Sequence, residues 1–200
     1  KREDASTLQM ANIFFNNAVD CSLSGVVGEL CNYAHIDIFR SARITVKNSS
    51  FKDAHDYSSG GKGYGVLVDF TSGDCYIQGN TFEHLRHSML VQAGANGNVF
   101  AYNHSTAAFW SAFPFPSNAA GDVVLHGNYP YMNLFEGNVV QNIVIDNSHG
   151  INGPNNMFFR NRAELCGIFM NTAPPSDHQA FIGNQVTDTT SALLGLYILQ

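Results

Sequence analysis

A short motif recurs seven times along this chain and constrains its fold more than any other feature. An apolar residue is followed three positions later by Asn, with Ser49 taking that place in one copy. The apolar anchors are Phe14, Val46, Ile77, Phe100, Phe135, Phe158 and Phe181. Successive anchors are 32, 31, 23, 35, 23 and 23 residues apart, so the longer intervals read as 23 residues plus an inserted loop. Repetition at this period predicts a stacked solenoid.

The residue types within each repeat predict strands. The repeats are short and rich in Val, Ile, Phe and Thr, and they are bounded by Gly, Asn, Ser and Asp. A second series of apolar runs precedes most anchors, at residues 66–68, 89–91, 123–125, 143–145 and 168–170. Two or three short strands in each coil, stacked on those of the next coil, describe an all-β parallel β-helix of about seven coils.

The recurring Asn has a structural role in this fold. An Asn side chain tolerates turn geometry and carries both a hydrogen-bond donor and an acceptor. Asn side chains at the same turn of successive coils can therefore bond to one another along the axis. The residues predicted to form this internal ladder are Asn80, Asn103, Asn138, Asn161 and Asn184. The aromatic anchors, Phe14 included, are predicted to stack in the core beside it.

Composition limits the domain organisation and the partners. The repeats run almost to both ends, which predicts one β-helix domain over residues 1–200 that is part of a longer β-helix with its caps outside the chain. A net charge of −6 with 13% charged residues argues against nucleic acid as a partner. The sequence also has no apolar run long enough to span a membrane.

The four cysteines, Cys21, Cys31, Cys75 and Cys166, have none of the spacings that bind metals. Cys21 and Cys31 could form a loop disulfide, and the other two are interpreted as small buried residues. No cluster of three or more acidic residues has calcium-ligand spacing, so we expect no metal and no cofactor, with Ca²⁺ the one cation worth considering.

Coil length, the Asn ladder and the stacked aromatic residues resemble the right-handed parallel β-helix of the pectate-lyase-like superfamily. Several short sequence segments also resemble those of secreted bacterial surface β-helix proteins of unassigned chemistry. These segments occupy residues 55–65, 85–89, 97–103, 126–133 and 148–154. The resemblance implies a secreted or cell-surface protein whose partner is a polysaccharide or a cell-surface glycan. It transfers no catalytic residue, because the superfamily contains lyases, hydrolases, esterases, phage spikes and adhesins.

Candidate catalytic residues come from the strand ends and from the insertions. Asp69, Gln92, His126, Asp146 and Asn171 end the strands of the second series, so they are predicted to form one outward column. His126 and Asp146 would then be close enough for the carboxylate to orient the imidazole. Arg86 is the best candidate for a lyase base. The candidate catalytic residues are Arg86, His87, His126, Asp146 and His149. The alternative is a solvated column of polar residues without catalytic function.

Two insertions interrupt the period, at residues 53–64 and 106–121, and insertions in solenoids often carry function. The second is rich in aromatic residues and could stack on sugar rings or fold back on the flank. The candidate substrate-binding residues are Trp110, Phe113, Phe115 and Tyr129.

Two classes of function follow from these patterns. The first is extracellular carbohydrate recognition by a β-helix, with polysaccharide lyase or glycoside hydrolase activity as one form of it. The second is a non-catalytic adhesin, binding module or structural solenoid. The sequence does not decide between an enzyme and a binder, because a carboxylate pair or a converging His–Arg site depends on which side chains meet in space.

Overall fold

We describe the fold from a computed structural model, which describes residues 10–57, 61–109, 121–170, 174–187 and 196–199. The strands are, in chain order, β1 (Ile13–Asn16), β2 (Ser22–Ser24), β3 (Val27–Cys31), β4 (Ala34–Phe39), β5 (Thr45–Lys47), β6 (Ser50–Ala54), β7 (Tyr64–Asp69), β8 (Tyr76–Gln78), β9 (Thr81–Glu83), β10 (His87–Val91), β11 (Val99–Ala101), β12 (His104–Thr106), β13 (Val123–His126), β14 (Leu134–Glu136), β15 (Val139–Asp146), β16 (Met157–Phe159), β17 (Arg162–Met170), β18 (Ala180–Ile182), β19 (Gln185–Val186) and β20 (Leu196–Leu199).

Every strand pairing is parallel, and the strands form three faces of a parallel β-helix. The first face contains β1, β4, β7, β10 and β13, and the third contains β3, β6, β9 and β12. The second face is a separate sheet of seven strands, one for each coil: β2, β5, β8, β11, β14, β16 and β18. The first and third faces belong to one sheet because β15 and β17 are long strands that pair with neighbours on both. The predicted fold is thus confirmed.

The core is a set of stacked side-chain columns. The central residues of the second face are in register from coil to coil: Leu23, Val46, Ile77, Phe100, Phe135, Phe158 and Phe181. The ring centroids of Phe100 and Phe135 are 5.0 Å apart, as are those of Phe135 and Phe158. The rings of each pair are nearly parallel, so burial and aromatic stacking both stabilise the column.

One anchor was placed wrongly by the sequence pattern. Phe14 lies on β1 of the first face and is 53% exposed, and Leu23 occupies its expected place in the core column. Asn17 is likewise exposed and outside the ladder. The ladder position of this coil is Val26, whose N–H donates to Ser49 Oγ across a separation of 23 residues. Phe-x-x-Asn also occurs at this strand end, and the motif alone cannot tell which face a strand joins.

The predicted Asn ladder is present inside the helix. Asn138 Nδ2 donates to Asn161 Oδ1 at 2.9 Å and to the carbonyl of Phe100 at 2.9 Å. Its own Oδ1 accepts the backbone N–H and the side-chain amide of Asn103, both at 3.0 Å. Each ladder amide therefore satisfies buried backbone groups of the turn as well as its neighbouring Asn.

A second ladder runs along the other edge of the second face. Asn98 donates to Asn133 and Asn133 donates to Asn156, each at 2.9 Å, and Asn156 donates to Gln179 at 3.0 Å. These residues lie five positions before the first ladder in four successive coils, so the sequence does carry the signal. The pattern analysis used one Asn per repeat and missed it.

The cysteines do not form the loop disulfide that was considered. Cys21, Cys31 and Cys75 are free thiols, and Cys31 and Cys75 are buried. Cys31 points into the core, where burial raises its pKa to about 12. Cys21 instead approaches the carbonyl of Val19.

We predict that Asn138→Ala destabilises the protein by about 3 kcal/mol or more, because it leaves the Asn103 N–H and the Phe100 carbonyl buried without their ladder partner. Urea unfolding would measure the loss. Asn16→Ala, at an exposed Asn, is the matched control and should change stability by less than about 0.5 kcal/mol. Equal losses for the two variants would contradict a stabilising role for the ladder.

Candidate active site

The ends of the first-face strands place a row of side chains on the outside of the helix. Phe39 is paired with Asp69, and His126 is paired with Asp146. Gln92 continues the row between them, since its N–H donates to Val68 and it follows Val91, which is paired with Leu125. The outward row therefore runs in the order Phe39, Asp69, Gln92, His126 and Asp146, one residue per coil. Asn171, the last residue of the predicted column, lies outside the described residues.

His126 and Asp146 are in close contact. Nδ1 of His126 lies 2.7 Å from Oδ2 of Asp146, and both side chains are largely buried. Ser148 binds the same carboxylate through its N–H at 2.7 Å and its hydroxyl at 2.9 Å. Burial raises the pKa of Asp146, but the contacts with His126 and Ser148 outweigh it and lower that pKa to about 2. Asp146 is thus an anion across the ordinary pH range, and it fixes the orientation of the imidazole.

The turn after His126 brings a second histidine close to it. The rings of His126 and His149 are 4.5 Å apart in an edge-to-face arrangement. Gly127 makes this approach possible, because a Cβ at that position would lie 2.5 Å from the carbonyl oxygen of Gly150. Asn152 fixes the loop by accepting the Gly127 N–H and donating to the Asp146 carbonyl, each at 2.9 Å. The hydrogen bonds of Asn152 and the absence of a side chain at Gly127 therefore fix the position of the loop that carries His149.

A cavity of about 380 Å³ opens beside this pair of histidines. The described residues that line it are Tyr33, Gly61, Tyr64, Arg86, Gln92, His126, Ser148 and His149. It thus combines a guanidinium, two imidazoles and two phenols. None of these lining residues is an Asp or a Glu. Of the acidic residues on the row, Asp146 is bound to His126 and Ser148, and Asp69 accepts a hydrogen bond from Gln92.

His87 supports the cavity from behind. It is 4% exposed, its ring stacks on Tyr64 at 5.1 Å, and it lies 5.6 Å from the ring of His126. Burial lowers the pKa of His87 to about 3, so this imidazole is neutral, and its Nδ1 donates to the Gly121 carbonyl at 2.9 Å. The structure brings all five predicted catalytic residues together. Arg86, His126 and His149 line the cavity. His87 and Asp146 lie behind them, each close to His126.

An interior network anchors the strand that carries His87. Ser88 and Ser105 are joined by a hydrogen bond of 2.8 Å, and Ser105 donates to Oδ1 of Asp122 at 2.9 Å. Asp122 also accepts the Gln141 N–H at 2.6 Å. Burial raises the pKa of Asp122 to about 6 in spite of these hydrogen bonds. Gly121, whose carbonyl accepts from His87, directly precedes Asp122. The hydrogen bonds of Asp122 therefore also hold the carbonyl group to which His87 donates.

Of the four predicted substrate-binding aromatic residues, three lie outside the described residues: Trp110, Phe113 and Phe115. Tyr129 is 52% exposed on the turn after β13, and its ring is 6.3 Å from that of Tyr131. It is not among the residues that line the cavity.

Sequence reasoning missed the two tyrosines of the cavity. Tyr64 is the last residue of the insertion predicted at residues 53–64, but it is 5% exposed and begins β7. Gly65 packs closely, since a Cβ there would lie 2.3 Å from the Ser88 carbonyl oxygen. Tyr33 packs against Tyr64 with a centroid distance of 5.5 Å. The sequence did carry a signal for Tyr64, because this residue lies two positions before the apolar run at 66–68 and could have been assigned to the same strand.

Two further carboxyl groups lie on the outer side of the first face. Asp37 and Asp69 are 8% and 3% exposed, and one oxygen of each has no hydrogen-bond partner. Burial and the neighbouring Asp69 raise the pKa of Asp37 to about 7. Burial likewise raises the pKa of Asp69 to about 6, although Gln92 donates to it. Both carboxyl groups also raise the pKa of the Tyr33 phenol, whose own burial is the larger cause.

This arrangement suits proton transfer beside an anionic group. An imidazole oriented by a carboxylate is a general base or acid, and a nearby guanidinium pairs with carboxylates. Within the described ranges, no group of three or more His, Cys, Asp or Glu side chains could hold a metal ion. The described groups that line the cavity include two imidazoles, two phenols and the guanidinium of Arg86.

Comparison with known protein families, with curated proteins and with solved structures found no match to this chain. In the part of the chain that the structure describes, no helix is long and apolar enough to cross a membrane.

We predict that the stability of the Asp37→Asn variant, relative to wild type, increases as pH rises from 4 to 8. The folded state raises the pKa of Asp37 from 3.8 to about 7, so it binds a proton that the unfolded state releases. The stability contributed by the wild-type carboxyl group therefore falls with increasing pH over this window. The free energy of unfolding of the variant relative to wild type should rise by at most about 4 kcal/mol.

Urea unfolding at several pH values measures this difference, and the buried histidines cancel because both proteins contain them. Asp177→Asn, at an exposed position, is the matched control and should show a flat difference. A flat difference for Asp37→Asn as well would contradict the burial of an ionisable carboxyl group at this site.

Proposed function

We propose that this β-helix is a polysaccharide-active enzyme, and that it cleaves an acidic polysaccharide by a lyase reaction at the cavity of the first face. The observation that carries the proposal is the contact of 2.7 Å between His126 and Asp146 at the edge of a cavity that Arg86 and His149 also line. An oriented imidazole beside a guanidinium and a second imidazole is more than a solvated polar column requires.

The substrate class follows from the charges around the cavity. Arg86 supplies a planar cation that can bind a carboxylate with two hydrogen bonds. Pairing with a uronate carboxylate would make the proton on the adjacent carbon more acidic, and His126 is the candidate base for that proton. Electrons from the broken C–H bond then form a C=C bond as the glycosidic C–O bond breaks. The leaving oxygen takes a proton, for which His149 and Tyr64 are the candidate donors.

A hydrolase is less well supported by the same cavity. Glycoside hydrolases generally use two carboxyl groups on opposite sides of the scissile bond. The described lining residues contain no carboxyl group, and Asp37 and Asp69 are buried on the outer side of the first face. The resemblance to the pectate-lyase-like superfamily supports the lyase reading through the fold alone. A substrate of this class would place the protein outside the cell or at its surface.

We predict that His126→Ala lowers the rate of polysaccharide cleavage by at least about 100-fold, since it removes the proposed base. Asp146→Asn should cause a comparable loss by releasing the orientation of the imidazole. The assay incubates the protein with polygalacturonate or alginate and follows the ultraviolet absorbance of the unsaturated uronate product. New reducing ends are measured in parallel.

His104→Ala is the matched control, because His104 is an exposed histidine on β12 of the third face. It should retain wild-type activity, and thermal unfolding should show that all variants are folded. If new reducing ends form without ultraviolet absorbance, the protein cleaves by hydrolysis and the lyase proposal is wrong. Binding of the polymers by wild type without any cleavage would instead support a carbohydrate-binding module.

A further inference from the structure

Three phenylalanines form an exposed cluster on the first face, which we call the phenylalanine platform (Phe14, Phe39 and Phe70). Phe14 is 53% exposed and Phe70 is 44% exposed. The centroids of Phe14 and Phe39 are 6.0 Å apart, and those of Phe39 and Phe70 are 4.7 Å apart. Contiguous exposed aromatic surface of this kind is uncommon on a soluble protein without a binding role.

The backbone at the platform favours a smaller residue than the one present. Phe70 has a φ of 43°, in the left-handed region that is unfavourable for bulky side chains. The residues at the same place in the next two coils are Ala93 and Gly127, which also have positive φ. The turn therefore has no need of an aromatic residue, and the ring at Phe70 is held outward at a conformational cost.

The platform is continuous with the cavity. Phe39 begins the outward row that passes through Asp69 and Gln92 to His126. Three strand spacings separate Phe39 from His126, or about 14 Å along the axis. Between the two ends the row carries no exposed charge, since Asp69 is 3% exposed and Gln92 is neutral.

A cation accompanies the aromatic rings. The guanidinium carbon of Arg40 lies 4.8 Å from the centroid of Phe39, and Arg40 is exposed. Apolar ring faces beside a guanidinium match a uronate sugar, which presents C–H groups on one face and a carboxylate at its edge. The same combination of features recurs at the cavity, which both Tyr64 and Arg86 line.

We infer that the phenylalanine platform, with Arg40, is a distal sugar-binding subsite for the acidic polysaccharide that the cavity acts on. This inference rests on the proposed function. A chain bound with one sugar at His126 would extend along the outward row and place a later sugar on the platform. A disaccharide bound at the cavity would be too short to reach it.

The test measures how cleavage depends on the length of the substrate. Oligouronides from the disaccharide to the octasaccharide, prepared from the polymer that wild type cleaves, are assayed with Phe14→Ala, Phe70→Ala and the double variant. Each single variant should raise KM for the octasaccharide by about 3- to 10-fold. The kcat value for the polymer and the kinetics with the shortest cleaved substrate should stay at wild-type values.

Tyr102→Ala is the matched control, because Tyr102 is an exposed aromatic residue on the turn between β11 and β12, away from the first face. Phe70→Trp should keep or improve the KM for long substrates if stacking is the cause. Thermal unfolding shows whether each variant is folded, and Phe70→Trp preserves the test if truncation to Ala disturbs the turn.

The outcomes separate this inference from the proposed function. If wild type cleaves long substrates and the platform variants leave the length dependence unchanged, the subsite is refuted while the lyase proposal stands. If wild type neither binds nor cleaves the polymers, both fail. Self-association of wild type that the variants abolish, without an effect on KM, would assign the platform to contacts between copies and overturn the inference.

Discussion

Axial hydrogen bonding between coils is the constraint on which the rest of this structure depends. Each coil must present its backbone groups and interior amides to the next at the same height, because buried polar groups without partners are costly. The two Asn ladders meet this requirement at both edges of the second face. Once the ladders fix the turns, every strand of a coil has its register set, and the outward side chains fall into rows.

The candidate site is a consequence of that register. His126 and Asp146 are neighbours because β13 and β15 are paired in step, and the site requires no special strand geometry. The departures from regular coiling supply the rest: Gly127 lets the His149 loop approach, and the insertion before β7 brings Tyr64 and Gly61 to the cavity. The register of the strands thus places His126 beside Asp146, and the irregular turns supply the other residues around the cavity.

Buried ionisable groups divide between the two sides of the first face. Asp122 lies in the interior and belongs to a hydrogen-bond network below His87. Asp69 lies on the outward row between the phenylalanine platform and the cavity, and Asp37 lies beside that row on β4, in register with Phe14 and Leu67. One oxygen of each carboxyl group has no hydrogen-bond partner. Two ionised carboxylates on this surface would repel an acidic chain. Burial raises the pKa of Asp37 to about 7 and that of Asp69 to about 6, which increases their neutral fraction and so reduces that repulsion.

The sequence by itself determined the solenoid, its coil length, one Asn ladder and the adjacency of His126 and Asp146, since all of these follow from periodic spacing. Periodicity misplaced Phe14, because a motif can match on a strand of another face. Only the tertiary structure decided that Tyr33, Tyr64 and Arg86 meet His149 around one cavity. Their positions depend on insertions and turns, where side-chain direction is set by packing against other coils and leaves no repeating pattern in the chain.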